Sequence, residues 1–311
     1  MTKPIYIFLT LLIFFNQIAL EAQSSVRGFL YFSIAEKFKK DSKTDSAIIY
    51  YQKAGAIFKT DQQIEDFVNA YNQAGVLLTR QDQYDKAKTF LNDALTAGQK
   101  FLSPDNLALS NTYLALGVVD AAEENFTQSL DYHYKALAIR LSKLGEYHSD
   151  VATSYGNIGN VYFRTKDFGK AIEAHHKALA IREKLFGPSG VELVQTYNNL
   201  GNALSDTGSP DRALPLYAAA IRIKPLFPEA YANRGNALGK LGRFEEAVAD
   251  YTQAVRVNPR YAQAYLARAN AYMQLGRFKE AWDDVRIIQR FGYNIDPAFL
   301  EKLRTTSGTT E

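Results

Sequence analysis

The 311-residue chain contains no cysteine, one tryptophan, two methionines and four histidines. Without cysteine there is no disulfide framework and no lipid attachment through a thiol, and passage into an oxidising compartment imposes no pairing requirement. The histidines His133, His148, His175 and His176 include no i, i+4 pair, and adjacent His175 and His176 point to different faces of a helix, so no ligand set with metal spacing exists. No metal and no cofactor is implied. Excess charge is also scarce. The 36 Lys and Arg against 33 Asp and Glu give a formal +3, too little to argue for nucleic acid or a membrane surface as the partner. Residues 222 to 290 are the uneven part, with 12 basic and 7 acidic side chains, a pattern expected of a solvated outer face, the alternative being a basic docking patch.

Long apolar runs are equally rare. One stands out, Ile5 to Phe15, broken only by Thr10. Lys3 precedes it, polar residues follow from Asn16 to Gln23, and a cut after Ala22, with Leu20 two residues before it, completes the layout of a secretory signal peptide over residues 1–22. The expected mature chain starts near Gln23 and is periplasmic or secreted. An uncleaved membrane anchor is the alternative, but the run of 11 residues is short of the roughly 20 that span a bilayer. Removing residues 1–22 deletes Lys3 and Glu21, which leaves the charge at +3 and no membrane span in what remains.

What the chain has in abundance is tyrosine at regular intervals. Tyr31, Tyr71, Tyr113, Tyr155, Tyr197, Tyr231 and Tyr265 each open a similar segment, at steps of 40, 42, 42, 42, 34 and 34 residues. Four residues after each stands Ala35, Gly75, Gly117, Gly159, Gly201, Gly235 or Ala269, and sixteen after each stands Ala47, Ala87, Ser129, Ala171, Ala213, Ala247 or Ala281. Both rows are small throughout. Two antiparallel helices approach closely only where neither carries bulk at the crossing, and glycine within a helix otherwise costs about 1 kcal/mol. A unit of this length buries its apolar face only against its neighbours, so the period predicts a solenoid of helix pairs. With 47 % hydrophobic residues there is ample material for the elongated core such a stack needs.

The best-formed copy runs from Tyr231 to Pro259, with Gly235, Phe244, Ala247, Tyr251, Ala254 and Pro259 at offsets 4, 13, 16, 20, 23 and 28. These spacings resemble the tetratricopeptide repeat. The 42-residue copies carry eight extra residues, Leu137 to Leu144 and Leu179 to Phe186, expected to lengthen the second helix by about two turns. With the turn Gly187 to Gly190 that follows, they look like the repeats of kinesin light chain and related bacterial proteins. The resemblance implies an all-α, right-handed α-α superhelix of about seven helix-turn-helix repeats over residues 23–292, opening near 28, 68, 110, 152, 194, 228 and 262. A short capping helix is expected at 293–304 and an irregular tail at 305–311. Pro215 is expected to kink a second helix or remove one of its hydrogen bonds. The turn from Lys40 to Thr44 lacks the aromatic that follows the polar or glycine break in most of the others.

Catalytic chemistry finds little support. Gly235 to Lys240 lacks the spacing of a phosphate loop, and Leu241 stands where a magnesium-binding hydroxyl is required. Asp120, Ser129 and His133 could cluster, but all occupy packing positions of the repeat. They are expected to form a buried Asp to His pair with a small neighbour and no nucleophilic triad. The chain reads as non-enzymatic.

The resemblance implies instead a binding role, with the first helices lining a concave groove. Asn157, Asn199 and Asn233 follow their tyrosines by two residues, Asn160, Asn202, Asn236 and Asn270 by five, and Arg164 and Lys240 by nine. Offsets of two, five and nine fall along one stripe of a helix. An asparagine amide donates and accepts at once, which suits an extended peptide backbone, and the two basic residues would favour acidic side chains nearby. The row stops at Ala115 and Val118, and the basic pattern that grips a terminal carboxylate in chaperone-binding relatives is missing at Thr153, Gln195 and Gln263. The expectation is an exported scaffold that takes up a protein or peptide. The alternative is a sensory or regulatory region working beside a signalling or enzymatic partner, which the lack of a second apolar run disfavours.

Overall fold

A computed structural model describes residues 24–308. The expected signal peptide lies outside the described residues. Helix α1 covers residues 24–40 and is followed by α2 (Thr44–Thr60), α3 (Ile64–Arg80), α4 (Tyr84–Phe101), α5 (Leu107–Ala122) and α6 (Phe126–Leu144). These make up the first of two compact units, which divide between Glu146 and Tyr147. The second holds α7 (Ser149–Arg164), α8 (Phe168–Phe186), a single 3-10 turn at Val191–Leu193, α9 (Val194–Asp206), α10 (Pro210–Ile223), α11 (Pro228–Lys240), α12 (Phe244–Val257), α13 (Ala262–Gln274), α14 (Phe278–Arg290) and the terminal α15 (Pro297–Ser307). No strand occurs among the described residues, and none of their helices is long and apolar enough to cross a membrane.

Each helix pair is closed by the same turn. One residue takes left-handed φ, at Ser42, Asp82, Glu124, Lys166, Gly208, Gly242 and Gly276, with φ from 57° to 86°. The next amide then reaches back to the fifth carbonyl before it, as in Lys43 N to Phe38 O (2.8 Å), Asp167 N to Tyr162 O (2.9 Å) and Arg277 N to Tyr272 O (2.8 Å). This satisfies carbonyls that a helix end otherwise leaves open. The first turn, which lacks the following aromatic in sequence, therefore has the same geometry as the rest. Tyr84, Phe244 and Phe278, just after their turns, are half-buried against the core.

The small-residue rows act differently from each other. At offset 4, the glycine opens a notch that receives the side chain at offset 20. A Cβ on Gly75 would stand 2.6 Å from Leu91, on Gly117 2.6 Å from the His133 ring, on Gly159 2.7 Å from His175, on Gly201 2.7 Å from Tyr217 and on Gly235 2.7 Å from Tyr251. At offset 16, Ala47, Ala87, Ala171, Ala213, Ala247 and Ala281 are wholly buried, and Ser129 donates its hydroxyl to Gly117 O at 2.7 Å. Within each unit, apolar side chains fill the spaces between successive pairs. One such cluster joins Leu179 of α8, Leu193, Leu200 of α9, Tyr217 of α10 and Ala237 of α11.

Several boundaries differ from the sequence expectation. The long second helices α6 and α8 have 19 residues against 14 in α12, a gain of five residues or about 1.4 turns. The rest of the eight-residue insertion goes into the loops after Gly145 and Gly187, whose φ of 77° and 71° ends each helix. The first four repeats open at 24, 64, 107 and 149, up to four residues before the expected positions. α10 continues without interruption through Pro215, which lacks only the N–H that would bond Asp211 O. The tail is helical to Ser307, not irregular from Thr305. The hydroxyls of Thr305 and Thr306 donate to carbonyls one turn back, and Gly308 ends the helix in the left-handed conformation.

Candidate functional site

The first helices of the second unit, α9, α11 and α13, expose one stripe each to an open groove of about 610 Å³. Its lining includes Asn202, Asn233, Asn236, Asn270 and Lys240 together with the aromatic residues Phe163, Tyr217, Phe244 and Tyr251. Five of the nine residues expected from sequence thus meet in one place. Asn157, Asn160, Asn199 and Arg164 lie outside that lining, on α7 and α9.

The amides are not equivalent. Tyr217 Oη donates to Asn202 Oδ1 at 2.8 Å, and Tyr251 Oη donates to Asn236 Oδ1 at 2.8 Å. Asn160 Oδ1 accepts from Asn199 Nδ2 at 2.9 Å, while Asn199 Oδ1 accepts from Gln195 Nε2 at 2.8 Å. Asn199 has both ends of its amide engaged within the protein. Asn233 donates from Nδ2 to the buried Asn198 Oδ1 at 2.9 Å. Sequence spacing placed these amides on a stripe but carried no information on which end each presents.

Lys240 does not offer a free charge. Its Nζ lies 2.6 Å from Asp206 Oδ1 and also donates to Ser205 O and Oγ, each at 3.1 Å. The groove is therefore close to neutral, and the expected preference of Lys240 for acidic side chains is met by Asp206 instead. Burial raises the pKa of the Tyr217 and Tyr251 hydroxyls, with Asp206 and Asp250 adding to it respectively, so both stay protonated donors.

Sequence inspection missed the ion pairs beneath the last two repeats. Arg234 makes two bonds of 2.7 Å to Asp250, and Arg268 makes bonds of 2.9 and 2.7 Å to Asp284. The signal was available as Arg at offset 3 with Asp at offset 19 in both copies. These pairs, with Arg243 to Glu246, Arg277 to Glu280 and Arg286 to Asp283, engage five of the 12 basic side chains of this region with five of its 7 acidic ones, which leaves its basic excess unchanged.

In the first unit, Asp120, Ser129 and His133 do not form the expected Asp to His pair. Asp120 Oδ1 takes Lys88 Nζ at 2.8 Å, Ser129 bonds Gly117 O, and the His133 ring fills the Gly117 notch with Nδ1 lacking any hydrogen-bond partner. With a three-residue turn between antiparallel helices, offset 20 meets offset 4, so Asp120 at offset 7 is too far along. Burial, aided by the charge of Arg140, pushes the His133 pKa down to about 4, and His175 behaves likewise beside Arg182. A neutral, enclosed imidazole beside a wholly buried Ser129 reads as packing. No cluster of three or more potential metal ligands occurs among the described residues.

Sequence models of the tetratricopeptide repeat match residues 66–142, 111–184 and 150–225, then 228–261 and 262–281. No curated protein matches the sequence. Among solved structures, the chain is similar to a tetratricopeptide repeat protein from Parabacteroides merdae, at TM-score 0.61 and 15 % identity over 92 % of this chain and 100 % of that one. It is similar to BtubC (BKLC) from P. vanneervenii at TM-score 0.59 and 19 % identity, covering 70 % and 89 %. The nearly identical repeats of a kinesin light chain from Podosopora anserina give 0.54 and 15 %, covering 61 % and 94 %. At these identities the likeness is one of fold.

Proposed function

Because the chain belongs to the tetratricopeptide repeat family, whose members serve generally as non-catalytic protein-binding scaffolds, we propose that it binds an extended segment of a protein or peptide in the groove of its second unit. The observation that carries this reading is the convergence of Asn202, Asn233, Asn236 and Asn270 on one open groove that aromatic side chains also line. Side-chain amides bond main-chain groups whatever side chains flank them, and the rings supply apolar area beneath. Lys240 is tied to Asp206, so it gives the groove little preference for acidic segments. No residue set supports catalysis, and nucleic acid is not the expected partner at a net charge of +3.

The protein is further proposed to be exported, on the strength of Lys3, the apolar run to Phe15 and the Ala22 site. Mass measurement of the native protein decides this: a start near Gln23 supports export, an intact Met1 in a membrane fraction supports an anchor, and an intact Met1 in the cytosol removes the claim.

The binding role is tested by affinity capture from the host, with the wild-type chain and an Asn202→Ala, Asn236→Ala, Asn270→Ala variant as baits. Loss of the captured partner at an unchanged melting temperature supports the groove. Undiminished capture moves the site elsewhere.

A further inference from the structure

Three of the four asparagines at offset 5 share a property that their spacing does not predict. In Asn160, Asn202 and Asn236 the side-chain oxygen is already engaged from within the protein, by Asn199 Nδ2, Tyr217 Oη and Tyr251 Oη. The two tyrosines cannot readily withdraw. Their rings fill the notches at Gly201 and Gly235, and both side chains are buried. A phenol oxygen delocalises part of its lone pair into the ring and is a better donor than acceptor, so a carbonyl oxygen is the partner it favours. With Oδ1 turned inward, Nδ2 and its two hydrogens turn outward, and neither Asn202 nor Asn236 finds an acceptor for Nδ2 among the described residues. Asn270 is the internal contrast, since Val285 stands fifteen residues after it where the copies of Asn202 and Asn236 have tyrosine.

We infer that Tyr217 and Tyr251 are positioning residues that fix the amides of Asn202 and Asn236 with their NH2 groups toward the groove, making this row a line of donors that recognises carbonyl or carboxylate oxygens. The inference rests on the groove being the binding site and adds what it reads. A peptide would be held by its C=O groups, and its own N–H groups would be dispensable to this row.

Two measurements on the full chain, labelled with 15N at asparagine, test it. The first needs no ligand. In the Tyr217→Phe, Tyr251→Phe variant, the side-chain amide order parameters of Asn202 and Asn236 are expected to fall to the level of Asn270, which itself does not change. A general loosening would move Asn270 too, and unchanged order parameters at Asn202 and Asn236 would overturn the inference. The second titrates a capped (Ala-Gly)5 peptide and its fully N-methylated counterpart, which keeps every carbonyl and has no backbone N–H. Both are expected to shift the Asn202 and Asn236 amide signals with similar affinity, and the double variant to weaken both by about tenfold. Binding of the parent peptide alone overturns the donor row while leaving the groove in place. Binding of neither removes the groove reading and the recognition built on it, and the order parameters then still decide whether the tyrosines hold the amides.

Discussion

The ring of Tyr251 occupies the space that a Cβ on Gly235 would need, its Cε1 lying 2.7 Å from that position. His175 stands in the same relation to Gly159, with ring atoms at 2.7 and 2.8 Å. Neither ring is the loose end of a flexible chain, so any side chain at the glycine forces the helices apart. Gly235→Leu or Gly159→Leu is expected to cost about 1 to 3 kcal/mol by overpacking. Urea denaturation of each variant measures this, and wild-type stability in either would contradict the notch.

Acid should weaken both units through their buried histidines. His133 and His175 are neutral in the fold, with pKa pushed down to about 4, against about 6.5 in an unfolded chain. Between those values the unfolded state binds more protons, so this contribution is complete above about pH 6.5 and is lost as the pH falls toward 4, by up to about 3 kcal/mol per histidine. Leu91 fills the equivalent notch at Gly75, so His133→Leu and His175→Leu are the appropriate comparisons. Each variant is expected to lose less stability than wild type between pH 7 and pH 4.5, measured by denaturant midpoint.

The Arg268 to Asp284 pair is enclosed, with side-chain exposures of 13 % and 3 %. Burial raises the Asp284 pKa even though Arg268 pulls it down, which marks a carboxylate dependent on its partner. Asp284→Ala strands a mostly buried guanidinium and is expected to cost about 3 kcal/mol, whereas Arg268→Met with Asp284→Leu together should cost much less. Equilibrium unfolding of the single and double variants separates the two outcomes.

Lys166 holds a φ of 61° in the turn between α7 and α8, where Gly208, Gly242 and Gly276 stand in the later repeats. A residue with a Cβ is strained there by about 1 to 2 kcal/mol, part of which glycine returns through its greater freedom when unfolded. Lys166→Gly is therefore expected to stabilise the chain by up to about 1 kcal/mol. A lowered melting temperature would contradict it.

Much of this architecture was legible in sequence because the repeat imposes the same demand many times. A small residue at offset 4 in seven copies cannot be an accident of composition, and it marks the helix crossings in the sequence itself. Offsets of two, five and nine likewise placed Asn202, Asn233 and Asn236 on one stripe. What the spacing could not carry was the end-to-end direction of an amide, which depends on Tyr217 and Tyr251 fifteen residues away on another helix. The partner of Asp120 was also misjudged, because Lys88 comes from the neighbouring repeat and a reading confined to one repeat does not look there. Helix ends were least legible, since Thr305 to Ser307 look like a polar tail until their hydroxyls are seen bonding back along α15.

The single tryptophan sits where it can report on one event. Trp282 is buried on α14 in a cluster with Val285 of the same helix and Leu303 of α15, and its Nε1 donates to Ser307 Oγ at 3.4 Å. Its emission is therefore an optical gauge of whether the terminal helix is seated, while the 20 tyrosines, spread along the sequence, report on the whole chain. Exciting the two chromophores separately during thermal melting gives this protein a native, label-free means of distinguishing fraying at its C-terminal end from collapse of the stack.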